Sequence, residues 1–134
     1  MERFTAACAT LTLVVAVLVC GCAGSSDLSF APTTVEAISP AQMRSLIGGG
    51  EPLAILDVRT PAEYAAWSIP GSVNIPLDEL RARLGELDRR TPLVCVCTSG
   101  NRSAQAAEVL AAAGFTRVMN LEGGIAAWNE YNKG

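Results

Sequence analysis

From Thr34 onward, short apolar runs alternate with segments of helical spacing. Residues 34–38 form a short β-type run. Ser39-Pro40 sets a capping hydroxyl before a proline of fixed φ, which signals a helix start. Residues 41–47 continue that helix until Gly48-Gly49-Gly50 stops it. Residues 53–58 are apolar and of strand length. Thr60-Pro61 repeats the cap-then-proline pattern and predicts a helix through Trp67, before a turn at Pro70-Gly71. A short strand is expected over 72–75. Leu77, Leu80, Leu84 and Leu87 recur at helical spacing, predicting a helix over 77–87. Residues 93–96 are the next apolar strand. Residues 103–113, rich in Ala and ended by Gly114, predict a helix. A brief strand at 117–120 and a closing helix at 124–131 complete the pattern.

Nearly continuous apolar strands separated by helices imply an α/β domain: a parallel sheet flanked by helices on both faces. Such sheets place their sites at the carboxyl ends of strands. Two places qualify, the ends of the 53–58 and 93–96 strands.

The N-terminal segment follows a different pattern. No charge occurs between Arg3 and Asp27, and the run 6–19 is apolar apart from Cys8, Thr10 and Thr12. Small residues follow through Ser26, which suits an export signal. Val19-Cys20-Gly21-Cys22 resembles the lipobox of bacterial lipoproteins. That resemblance implies a signal peptide over 1–21, lipidation of Cys22, a flexible tether over 22–33 and a domain over 34–134. The protein would then sit at the bacterial cell envelope, lipid-anchored on the outer side of the cytoplasmic membrane. An uncleaved anchor and a soluble secreted form are the alternatives, since the uncharged run is long enough to span a bilayer.

Composition narrows the chemistry. The 134 residues carry a net charge of −3, one lysine (Lys133) and no histidine. Without a basic stripe, nucleic acid is not an expected partner. Without histidine, His triads, His bases and His metal ligands are excluded. Of the five cysteines, Cys8 and Cys20 lie in the signal and Cys22 at its lipobox, leaving Cys95 and Cys97 in the domain. Two residues apart on a strand, they share a face, and a disulfide between them would close a small, strained ring. Cys95, between Val94 and Val96, is expected in the core.

Cys97 is followed by Thr98, Ser99, Gly100, Asn101, Arg102 and Ser103 at a strand-to-helix turn. Such a turn gathers backbone N–H groups and a helix N-terminus into an anion nest, which stabilises a thiolate. The alternative is a small apolar filler at a strand end. Asp57 and Arg59 end the other strand and either support the loop or form a turn cap with a structural ion pair. Trp67 and Trp128 are expected in the core, and Arg81, Arg83, Arg89 and Arg90 on solvated faces mixed with acids.

Together these residues resemble the rhodanese-like family. Residues 97–103 look like its active loop, with Cys97 in the persulfide-forming position. Leu56-Asp57-Val58-Arg59, Tyr64 with Ile69-Pro70-Gly71-Ser72, and the 121–128 segment ending in Trp128 look like its other motifs, in order. The similarity covers about 35–131. It implies a thiosulfate or persulfide sulfurtransferase in which Cys97 takes a sulfane sulfur from thiosulfate, a persulfide or a polysulfide. The sulfur then passes to a thiol, cyanide or sulfite, without metal or organic cofactor.

Two positions depart from the family pattern. Ser68, after Trp67, stands where His is usual, and neutral Thr98 stands where many active members carry a cation. Arg102 is expected to supply positive charge if it points inward. Tyrosine-phosphatase-like enzymes have one more residue between Cys and Arg than the four here, and the shorter loop suits sulfur. Two readings stay open besides turnover. One is a persulfide-binding or protein-docking module. The other is a Cys95/Cys97 redox relay.

Overall fold

The computed structural model describes residues 33–134. The expected signal peptide, Cys22 and all but the last residue of the expected tether lie outside the described residues. Five strands form one parallel sheet: β1 (Val35–Ile38), β2 (Ala54–Asp57), β3 (Val73–Asn74), β4 (Leu93–Val96) and β5 (Val118–Leu121), in the order β1-β5-β4-β2-β3. The helices are α1 (Pro40–Gly48), α2 (Pro61–Ala66), α3 (Asn101–Ala112) and α4 (Gly124–Lys133). This is the α/β architecture that the sequence predicts.

Alternation along the central strand separates two apolar layers. Leu93, Cys95 and Cys97 face a cluster with Ala106, Ala107 and Leu110 of α3, while Val94 and Val96 face Met43 of α1 and Ile125 and Trp128 of α4. All four residues of β4 are buried, as expected for an inner parallel strand. From β2 the chain passes outward to β3. From β4 it passes the other way, to β5. The winding therefore reverses between β2 and β4, which is where open parallel sheets leave a crevice for ligands.

The first two helices form through their N-caps. Ser39 Oγ accepts the Gln42 N–H while Gln42 Oε1 accepts the Ser39 N–H, and Thr60 and Glu63 make the same reciprocal pair.

Three expectations are corrected. The 77–87 stretch is not an α-helix but two single 3₁₀ turns, Leu80–Ala82 and Leu84–Glu86. The leucine spacing still serves burial, with Leu80 inside and Leu77, Leu84 and Leu87 packed against the α3-side cluster. Its backbone bonds are mainly of the i to i+3 kind. Gly85 sits mid-segment, where a helix pays about 1 kcal/mol relative to alanine. The helix expected from Ser103 begins two residues earlier, at Asn101, because Gly100 (φ +99°) turns the chain directly into it. Trp67 is not in the core: it is 44% exposed. Its backbone is extended (φ −166°, ψ 142°) and held by the Trp67 N–H to Glu63 O and by Arg59 to Trp67 O, so the ring turns outward beside Ala126 and Ala127.

Candidate active site

The loop after β4 is held between two helix N-termini. Its outward carbonyls cap α4: the Ile125 N–H donates to Cys97 O at 2.8 Å and the Ala126 N–H to Thr98 O at 3.2 Å. Gly123 and Gly124 both have positive φ here. A Cβ on Gly124 would collide with Cys97 O and approach Thr98 C within 2.7 Å, so only glycine lets α4 come this close. With carbonyls turned outward, the loop's N–H groups turn inward, onto the sulfur.

Cys97 Sγ receives the Gly100 N–H at 3.0 Å and the Ser103 hydroxyl at 3.3 Å. The residue is only 1% exposed. Burial alone pushes its thiol pKa up. The Ser103 hydroxyl and the backbone N–H groups of Ser103, Ser99 and Gly100 outweigh that and leave it below the ordinary thiol value. Cys95 has no such donors. Full burial, then the neighbouring Cys97 charge, push its thiol well up, so it stays protonated in the core. Both cysteines are free thiols.

At the rim, Thr98, Ser99 and Asn101 are exposed, while Gly100 and Ser103 are buried beneath. Arg102 does not point into the loop. Its guanidinium makes a two-bonded pair with the Glu63 carboxylate at 2.9 Å each and donates to Thr98 Oγ1 at 3.2 Å. Thr98 Oγ1 in turn donates to Glu63 at 3.2 Å. The Arg102 hydrogen bond, then the Thr60 backbone N–H, hold Glu63 far below the usual carboxylate range. The charge expected of Arg102 is thus neutralised by a residue of α2. Glu63 was not among the sequence-derived candidates; its signal was the Thr60-x-x-Glu63 capping spacing, which marks the helix start but not the partner across the site.

Asp57 and Arg59 sit at the adjacent strand end. Both are buried, the Arg59 N–H donates to Asp57 Oδ1 at 3.0 Å, and Arg59 NH2 lies 2.7 Å from Asp57 Oδ2. The guanidinium also holds Trp67 O at 2.7 Å, so this pair fixes the α2 exit rather than touching Cys97. Tyr64 fastens the same segment through its hydroxyl to Ser72 O. Ser68 is half-buried within it. Among the described residues no cluster of His, Cys, Asp and Glu could hold a metal ion.

Residues 39–131 match the family described as Rhodanese-like domain. The chain belongs to the rhodanese-like domain family. The chain is 36% identical over 94 residues to a sulfurtransferase of Allochromatium vinosum, covering 70% of this chain and 88% of that one. It is 35% identical over 93 residues to the thiosulfate sulfurtransferase GlpE of Ectopseudomonas mendocina, covering 69% and 84%. It spans 57% of the longer YrkF of Bacillus subtilis, at 35% identity over 105 residues. Among solved structures, a rhodanese-related protein of Thermoplasma volcanium superposes with a TM-score of 0.65 at 38% identity, covering 72% of this chain and 92% of that one. The rhodanese-like fold accounts for the five-stranded parallel sheet and its flanking helices.

Proposed function

We propose that this rhodanese-like protein is a sulfurtransferase working through a Cys97 persulfide. One observation carries the reading: Cys97 Sγ lies at a helix N-terminus, under converging N–H and O–H donors that favour its thiolate. The thiolate attacks the outer sulfur of a donor. The donor's S–S bond breaks as the Cys97–sulfur bond forms, and the donor's remainder leaves with the electron pair. For thiosulfate the leaving group is sulfite; for a persulfide it is a thiolate. The terminal persulfide anion then lies in the same nest. A thiol, cyanide or sulfite attacks that outer sulfur and releases Cys97 as thiolate, a double-displacement cycle without redox change.

The neutralised rim bears on the donor. Thr98 is uncharged and Arg102 is spent on Glu63, so a dianion gains little there. Persulfides and neutral organic polysulfides are accordingly the preferred donors, with thiosulfate a weaker one. The reading also includes lipid anchoring through Cys22 on the outer side of the cytoplasmic membrane, supported by the 19–22 sequence.

The test is intact mass after incubation with a polysulfide and, separately, with thiosulfate. A gain of about 32 Da mapped to Cys97 and removed by cyanide is expected, as the two half-reactions require. Cys97→Ser should gain nothing while keeping its fold. Sulfur uptake by Cys97→Ser would overturn the role of Cys97, and no uptake by the wild type from any donor would overturn the reading in favour of a docking module.

A further inference from the structure

Ser103 Oγ lies between two acceptors, Cys97 Sγ at 3.3 Å and Gly100 O at 3.1 Å. A hydroxyl has one proton and can serve only one of them at a time. A carbonyl oxygen has two lone pairs, and those of Gly100 O already have two other donors. The Ala104 N–H approaches at 3.1 Å as part of α3, and Asn120 Nδ2 at 3.3 Å from β5. We propose that Asn120 is a positioning residue of the active loop: by occupying Gly100 O, its amide leaves the Ser103 proton to the Cys97 sulfur. The inference rests on the proposed thiolate chemistry of Cys97.

A second observation supports this. Asn120 Oδ1 is buried without a hydrogen-bond partner among the described residues. Asn120 follows Val118 by two residues and stands beside Cys95 in register, both members of the apolar layer under α3. A residue there for packing alone would be better apolar, since an unpaired buried acceptor is a cost. The N–H on Gly100 O is what the amide gains in return. Turned over, the side chain would set oxygen against oxygen.

The ionisable groups around Cys97 are Cys95 beneath it, Arg102 of α3 with Glu63 of α2, the Asp57–Arg59 pair ending β2, and exposed Glu122 before α4. Asn120 bonds to none of them, so replacing it by a neutral residue tests the Ser103 route.

The readout is the pH dependence of iodoacetamide alkylation in the full chain, mapped to Cys97 by peptide mass. Asn120→Leu keeps the branched outline in a larger side chain and removes the donor; Asn120→Ala removes it with a smaller side chain. Both are expected to raise the alkylation midpoint by about half a unit to one unit, the size of one weakened bond to a charged group. Ser103→Ala should raise it as well. In the Ser103→Ala background, Asn120→Leu should add nothing. An unchanged midpoint in folded Asn120 variants, or an equal further rise without Ser103, would overturn the proposal. No sulfur donor is involved, so failure of sulfur transfer in the wild type is a separate result.

Discussion

Cys97 shows how a buried residue can still be made easier to ionise. Its desolvation opposes the thiolate, while three backbone N–H groups and one hydroxyl favour it, and the donors prevail. Because the folded thiol titrates below its unfolded value, alkylation and sulfur uptake should already be rising at pH values where a free cysteine is still protonated. A midpoint at or above that of a model thiol, measured by pH-dependent alkylation, would contradict this. The sign for stability follows the same shift: the contribution is full only above the unfolded thiol pKa and is lost as pH falls through the folded one. Gly124 supports the site from behind. Gly124→Ala forces a Cβ onto Cys97 O and Thr98, at a φ of +60° that alanine disfavours. Loss of at least about 1 kcal/mol of stability by denaturant melts is expected, with sulfur uptake falling more than stability because the loop itself must move. At this scale the sequence pointed to Cys97 and its nest through a strand-end cysteine followed by Gly and Asn. It did not reveal Asn120 or Gly124, whose roles depend on β5 and α4 folding back onto the loop. Trp67 was misjudged for a related reason. Residue type suggests burial, but the backbone bonds from Arg59 and to Glu63 O fix which way the ring faces.

At the level of elements, the site is a junction: the loop after β4 supplies the sulfur and two of its backbone donors, α3 supplies Ser103, α4 the outer clamp and α2 the rim. Helix boundaries were legible wherever a cap is local in sequence, as at Ser39-Pro40 and Thr60-Pro61. The 77–87 stretch failed because leucine spacing reports which side chains are buried, and two 3₁₀ turns satisfy that spacing as well as a helix does. The α2–α3 link through Glu63 and Arg102 joins residues 39 apart and leaves no periodic trace. It is about one-third exposed on each side, so its share of stability is small, within about 1 kcal/mol. Its larger effect is on charge. Glu63→Gln leaves the guanidinium unneutralised beside Thr98, so the KM for thiosulfate should fall several-fold while that for a neutral organic polysulfide changes little. Equal changes for both donors in steady-state assays would mean that the pair acts by ordering the loop and not by masking charge.

For the whole molecule, the apolar layers and the reversal of winding between β2 and β4 place the reactive loop at the carboxyl edge of the sheet. That much followed from strand–helix alternation, because both layers of a parallel sheet must be covered. Among the described residues no helix is long and apolar enough to cross a bilayer. The proposed anchor rests on Cys22. Each acyl CH₂ buried in lipid contributes about 0.8 kcal/mol, so lipid on one cysteine can govern where the protein resides. Cys22→Ser, expressed in a bacterium with residues 1–21 retained, should lose labelled fatty acid and leave the washed membrane fraction. Its sulfur uptake per folded domain should match the wild type, because nothing over 34–134 changes. Fatty acid retained by Cys22→Ser would place the lipid elsewhere. Retention in the membrane without fatty acid would show that the 6–19 run itself is the anchor, and the lipobox resemblance would then be incidental.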